Sequence, residues 1–299
     1  MSVTTAVPRP GKASRLWAYL TLARPANVVT ALADVLAGAA VAGTLAGLPG
    51  LLVATAALYA GGVVLNDVFD ADLDARERPE RPIPSGRASR AGAGWLGGGL
   101  LAAGVAAALA VSAASGAVAA ATAAMILLYD AWAKHHPLAG PVAMGLCRGL
   151  NLMLGVSALP AALGAVWPLA LLPVAYVAAI TAISRGEVHG GGRGTGWLAV
   201  ALLAAVLASL AGVQAQGGHL LPYGLLFLAL LAWRVLPPFV AAARNPRPAT
   251  IGGAVRAGVL SLILLDAALA AGCAGPVHGL AVLALWPVSM WLALLFAVT

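Results

Sequence analysis

The chain has 299 residues, 62% of them hydrophobic and 9% charged, with a formal net charge of +7 and a mean hydropathy of +0.95. A soluble domain is roughly a quarter charged, so a soluble globular protein is excluded. The apolar stretches run for about 20 residues without period-two alternation, which excludes a β-barrel and leaves membrane-spanning helices. In such a chain the basic residues punctuate the spans, so the positive charge reports topology, and nucleic acid is not an expected partner.

In chain order, hydropathy and helix breakers predict spans near residues 27–47, 50–66, 92–112, 115–133, 138–158, 166–184, 197–215, 219–241, 254–273 and 277–297. Residues 1–26 read as a cytoplasmic N-terminal segment and interfacial entry, and 27–299 as one transmembrane helical domain. Arg9, Lys12, Arg15 and Arg24 precede a first apolar stretch too long for a signal-peptide core, so that segment is expected to stay attached. Alternate connections differ in charge. Those around Leu48-Pro49, Ser112–Ser115, Leu159-Pro160, Gln214–Gly218 and Gly272–Gly275 hold no Lys or Arg, whereas the other side takes sixteen of the seventeen, including Arg234 and Arg256. Short basic loops are retained inside, so the N-terminus and the even-numbered loops are expected on the cytoplasmic side of a bacterial inner (plasma) membrane. Cys147 and Cys273 lack metal-type spacing and read as small core residues.

Charge is concentrated after the second span. Asp67, Asp70, Asp72, Asp74, Glu77 and Glu80 are six of the ten acidic residues and fall within fourteen positions. Asn66, Asp70 and Asp74 repeat every four residues, with Asp67 three before Asp70, so a continuing helix puts them on one face. Like charges at that spacing repel and call for a cation. Hard oxygen donors in a row suit Mg²⁺, which bridges carboxylates to phosphates. Arg76, Arg78, Arg81 and Arg87 follow directly, and guanidinium forks match phosphate oxygens. A charge-balanced, solvated loop is the alternative; the register and the position at a helix end favour a diphosphate site.

Asn66-Asp67-Val68-Phe69-Asp70-Ala71-Asp72-Leu73-Asp74 resembles the first aspartate-rich motif of the UbiA superfamily of intramembrane prenyltransferases. Arg24-Pro25 with Asn27 is similar to that family's entry to its first helix, Tyr129 and Lys134 to the Tyr and Lys of its second inner loop, and Arg148 to its intramembrane arginine. The wording of Arg78–Gly86 and Ser184–Gly191 resembles the EboC-like subgroup. The resemblance implies an all-α integral membrane protein, a bundle of nine transmembrane helices to which this chain adds a tenth C-terminal span, with inner active-site loops at 67–91 and 184–196. It implies a Mg²⁺-dependent transfer of an isoprenyl group from an allylic diphosphate donor to a small acceptor, cyclitol-like or aromatic, beside membrane lipid. Asn66, Asp67, Asp70 and Asp74 would hold Mg²⁺. Asn66, Arg78, Arg81, Lys134, Arg148 and Arg185 would bind the diphosphate, and Lys134, Glu187 and His189 would act in catalysis.

The family's second Asp-x-x-x-Asp motif is missing. No aspartate occurs between Asp130 and Asp266, and the corresponding stretch offers Arg185, Glu187, His189 and Arg193. Glu187 or His189 can still take a proton. Asp34 and Asp266 are ionisable groups inside spans, readable as functional or as structural hydrogen-bonding groups. Tyr59 and Phe69 read either as partners of a cation or as packing. Two other functions stay open on the sequence: a membrane terpene cyclase, in which the substrate's own double bond replaces the acceptor, and a transporter of an anionic solute.

Overall fold

The computed structural model describes residues 12–296. Arg9 and the remainder of the first eleven residues of the expected N-terminal segment lie outside the described residues, as does the end of the tenth span at 297. Among the described residues every regular element is helical. The elements are α1 (Lys12–Leu22), α2 (Pro25–Ala42), α3 (Leu48–Phe69), α4 (Ala71–Glu77), α5 (Arg90–Val111), α6 (Ala113–Ala131), α7 (Ala139–Val156), α8 (Leu163–Val166), α9 (Leu171–Ser184), α10 (Arg193–Ala215), α11 (Leu221–Arg244), α12 (Pro248–Leu260), α13 (Leu262–Ala274), α14 (Pro276–Leu283) and α15 (Leu285–Leu295). Grouped end to end, they make ten membrane-length apolar segments, matching the count read from hydropathy.

The boundaries moved where backbone chemistry overrides hydropathy. The first span stops at Ala42, because Gly43 takes a left-handed conformation (φ 70°) and its N–H closes on the Ala39 and Ala40 carbonyls. The sixth begins near Pro160 as short turns before straightening at Leu171. The ninth breaks at Ser261 into α12 and α13, and the tenth at Ala284 into α14 and α15. Arg234 is not in an inner loop: it sits inside α11, ten residues before that helix ends at Arg244, with its guanidinium over the Trp286 ring at 5.7 Å.

Small residues let the helices approach closely. A Cβ at Gly38 of α2 would collide with the Leu152 carbonyl of α7, and one at Gly155 of α7 with the Val35 carbonyl. That contact brings Asp34 against Arg148. The ninth span is central, with every residue from Leu262 to Gly272 buried. The tenth is peripheral and rests on α2, where the Ser289 hydroxyl donates to the Ala26 carbonyl at 3.0 Å. Four connections collect at one end of the bundle: Lys134 reaches Asp70, Arg185 reaches the Lys134 and His136 carbonyls, and the Gly191 N–H reaches the Pro246 carbonyl. This is the end that carries the basic loops.

Candidate active site

The acidic motif keeps its register across a small break. α3 ends at Phe69, and Asp70 caps both α3 and α4, yet Asp70 N–H still donates to the Asn66 carbonyl and Asp74 N–H to the Asp70 carbonyl. The four-residue repeat therefore survives. Each carboxylate of the repeat is met by a cation from elsewhere in the chain, as electrostatics at that spacing requires. Arg24 Nη2 lies 2.7 Å from Asp67 Oδ1. One Arg81 nitrogen bridges two aspartates, 2.8 Å from Asp74 Oδ2 and 3.4 Å from Asp67 Oδ1. Lys134 Nζ lies 2.7 Å from Asp70 Oδ1 and 5.8 Å from the centre of the Phe69 ring. Asp72 points outward to Arg90.

Arg24 reaches Asp67 by way of an unusual backbone. Among the described residues it is the one non-glycine with positive φ (46°), held between α1 and Pro25. A following proline disfavours the ordinary helical conformation, and the left-handed turn swings α2 away from α1 while Arg24 faces the motif.

From this end a cavity of about 300 Å³ runs between α2, α3, α6, α7, α9 and the ninth span. Asn66 and Thr55 both line it, eleven residues apart on α3, so it extends about 16 Å into the bundle. At its deep end a buried polar net ties three helices together. Arg148 Nη2 donates to Asp34 Oδ1 and to the Thr30 carbonyl, both at 3.0 Å. Asn151 Nδ2 donates to Asp34 Oδ2 at 2.7 Å and to the Ala31 carbonyl at 2.8 Å, while its oxygen accepts from Thr55 Oγ1 at 2.6 Å. Removing one partner of so buried a pair costs about 3–5 kcal/mol. Asp34 therefore has the structural role, and Asp266, also buried, faces Asp34 and Arg148. The Arg148 guanidinium lies over Tyr59 at 5.9 Å, so Tyr59 and Phe69 do each face a cation.

The residues singled out from sequence thus fall into groups. Asn66 and Glu187 line the cavity, with Asp67, Asp70, Asp74, Arg81 and Lys134 gathered at its mouth. Asn66 does not join the aspartates; its amide donates to Asp130 Oδ1 at 2.8 Å. Arg148 lines the cavity but is held by Asp34. Arg185 is exposed and clamps two backbone carbonyls, His189 is exposed and outside the cavity lining, and Arg78 acts on Glu187. Glu187 is half-buried; desolvation pushes its carboxyl above its ordinary value, and Arg78 pulls it back part of the way. Sequence reasoning gave no site role to Arg24, Asp130 or Asn151. The usable signals were the Arg-Pro step, an acid adjacent to Tyr129, and an amide one helical turn after an intramembrane arginine.

As donors for Mg²⁺ the motif carboxylates fit in kind, being hard oxygens at the mouth of a cavity with apolar depth. Arg81 between Asp67 and Asp74, and Lys134 on Asp70, mark the places where the carboxylates demand positive charge. Among the described residues the acidic side chains do not converge as a ready-made three-residue metal cluster.

The model of the UbiA prenyltransferase family matches residues 27–185. The chain belongs to this family. The match runs from the start of α2 to the end of α9 and so contains the aspartate motif, Lys134 and Arg148. The chain is 37% identical to the digeranylgeranylglyceryl phosphate synthase of Methanopyrus kandleri over 152 residues, 50% of this chain and 56% of that protein. It is 31% identical to that of Methanoculleus marisnigri over 217 residues, 69% and 77% of the two chains. It spans about half the length of the first curated relatives it matches. Those relatives are archaeal and are digeranylgeranylglyceryl phosphate synthases, not specifically EboC-like proteins, and they point to no bacterial membrane. Among solved structures, a UbiA homologue from Aeropyrum pernix superposes with a TM-score of 0.64 at 21% identity, covering 81% of this chain and 96% of that one. One from Archaeoglobus fulgidus bound to DMAPP and Mg²⁺ gives 0.54 at 17% identity, covering 89% and 99%. These likenesses establish the UbiA fold.

Proposed function

We propose that the protein is a Mg²⁺-dependent membrane prenyltransferase that moves an isoprenyl group from an allylic diphosphate to the hydroxyl of a lipid-accessible acceptor. The observation that carries this is the pairing of one continuous carboxylate register with Arg24, Arg81 and Lys134 at the mouth of a membrane cavity. Family membership, relatives named as prenyl-transferring synthases and a solved neighbour holding DMAPP and Mg²⁺ support the same reading.

Asp67, Asp70 and Asp74 would hold Mg²⁺ on the donor, and the ion supplies Lewis-acid stabilisation of the departing diphosphate. Arg81 and Lys134 present fixed positive charge at the place where the diphosphate oxygens gain charge, so the allylic C–O bond breaks with its electron pair leaving on diphosphate. Asn66, tied to Asp130, positions the end of α3. Val177, Ile180, Val255 and Val259 form an apolar wall that keeps water from the carbocation and accepts the tail. The acceptor oxygen then forms the new C–O bond, and its proton passes to Glu187, the carboxylate of the degenerate second loop that reaches the cavity.

The basic end is proposed to face the cytoplasm. Cysteines introduced as Ser85→Cys and Arg247→Cys should resist a membrane-impermeant thiol reagent in intact cells, while Gln216→Cys labels; labelling of Ser85→Cys overturns the orientation. Gly217 is a poor probe position because a Cβ there would sit 2.8 Å from the Gly272 carbonyl. The reaction is tested by diphosphate release from purified protein with dimethylallyl, geranyl, farnesyl and geranylgeranyl diphosphates, with and without Mg²⁺. No Mg²⁺-dependent release with any donor would sink the prenyltransferase reading.

A further inference from the structure

The cavity is blocked at the end away from the aspartate motif. Thr55 on α3, Thr122 on α6 and Asn151 on α7 are its deepest lining residues on those helices. The Thr55 hydroxyl donates to Asn151 Oδ1 at 2.6 Å and Asn151 Nδ2 to Asp34 Oδ2 at 2.7 Å, so a buried net crosses from α3 through α7 to α2 at this depth. Within one helical turn further from the mouth lie Val35, Leu51 and Leu154, which belong to one core cluster and are fully buried (0% exposed). At the same level α2 and α7 are pressed together at Gly38 and Gly155, where a Cβ on either would meet the backbone of the other helix. Close packing of this kind leaves a hydrocarbon chain no path onward.

The sides are bounded by helices in contact. Around the cavity α2 packs on α3, α3 on α6, α6 on α7, α7 on α9 and α9 on α12. Between α12 and α2 the circuit is completed by α13 and by α15 of the tenth span, each of which packs on both. A tail that follows the cavity from the mouth therefore ends at Thr55, about 16 Å from Asn66 along α3. An extended chain advances about 3.3–3.6 Å per three bonds, so an isoprene unit of four chain bonds covers about 4.6 Å, three units about 14 Å and four about 18 Å. Three units fill the depth, and a fourth would run into the hydrogen bond between Thr55 and Asn151.

We propose that the Thr55–Asn151–Asp34 net, backed by Val35, Leu51 and Leu154, sets the length of the donor and selects a tail of three isoprene units, a farnesyl diphosphate. This rests on the prenyltransferase reading and names its donor. Leu51 precedes Thr55 by one turn on the same face of α3, so its side chain is the part of the plug that Leu51→Ala would empty. Thr122 offers the opposite change. Its hydroxyl is tied only to the Val118 carbonyl of its own helix, so Thr122→Phe fills the deep end without breaking a bond between helices.

The test is competitive binding, which needs no acceptor and no turnover. Purified protein with Mg²⁺ is given an equimolar mixture of the S-thiolodiphosphate analogues of geranyl, farnesyl and geranylgeranyl diphosphate, and bound ligand is quantified by mass spectrometry, with Asp70→Ala as the blank for tails held by detergent. In wild type the farnesyl analogue should exceed each of the others at least fivefold. Leu51→Ala should bring the geranylgeranyl analogue level with farnesyl or above it, and Thr122→Phe should shift the preference to geranyl; if one variant is not recovered folded, the other decides. A wild-type preference for another length, equal binding of farnesyl and geranylgeranyl, or a preference unmoved by the variants overturns the proposal. Binding no greater than the blank for every length is a different failure, that of the prenyltransferase reading itself.

Discussion

The two inner loops of the site are built in opposite ways. At the end of α3, three aspartates share a helical face and every one is met by a base from a different part of the chain. After α9, one half-buried carboxylate, Glu187, stands in a glycine-containing loop whose anchors are backbone contacts: Arg185 on two carbonyls and Gly191 on that of Pro246. The first loop concentrates charge on a rigid element, which suits a task dominated by a polyanion. The second presents a single carboxylate with a raised pKa, which suits proton transfer. On the proposed function, the missing second aspartate pair would separate the two tasks instead of duplicating one.

That division can be broken at several points. Asp70→Ala and Asp74→Ala should lower Mg²⁺-dependent diphosphate release by about 10²–10³-fold, the range for removing a preorganised electrostatic contact, with the protein still extracted as a folded species in detergent. Full turnover in both would show that the α3 register is not the donor site. Glu187→Gln should slow single-turnover transfer by about 10²-fold and leave donor binding near wild type. A loss of donor affinity as large as that of Asp70→Ala would merge the loops into one metal site.

The pH profile sharpens the comparison. Glu187 must be ionised to accept a proton, so transfer is lost as pH falls through its raised pKa, and the acid limb of the single-turnover profile should lie above the ordinary glutamate value. Because Arg78 holds that pKa down, Arg78→Ala should move the acid limb to higher pH; a downward move contradicts the assigned contact. The smallest effect is expected at His189, which is exposed and off the cavity: His189→Ala should change the transfer rate by less than about twofold. A large loss there would restore His189 as the proton acceptor.

Much of this was legible in the sequence because it rests on periodicity and charge. Ten spans and the carboxylate register depend on composition or on spacing along one helix, and they survive in the structure. The pairings that join distant segments were not legible. Nothing in the local wording around Asp34 says that its partner is Arg148, 114 residues away, and nothing around Arg81 says that it bridges Asp67 and Asp74. Arg234 was counted with the basic loops although it falls within the predicted span at 219–241, and the structure keeps it inside α11.

The hydrogen bond from Ser289 to the Ala26 carbonyl joins residues 263 positions apart. During synthesis α2 is made long before α15, the helix that packs on it. Packing of α15 on α2 is thus a long-range closure of the kind that slows folding. Truncation before residue 276 should uncover this face of α2 and lower the recovery of folded protein in detergent; unchanged recovery would show that the contact between α2 and α15 adds little to assembly.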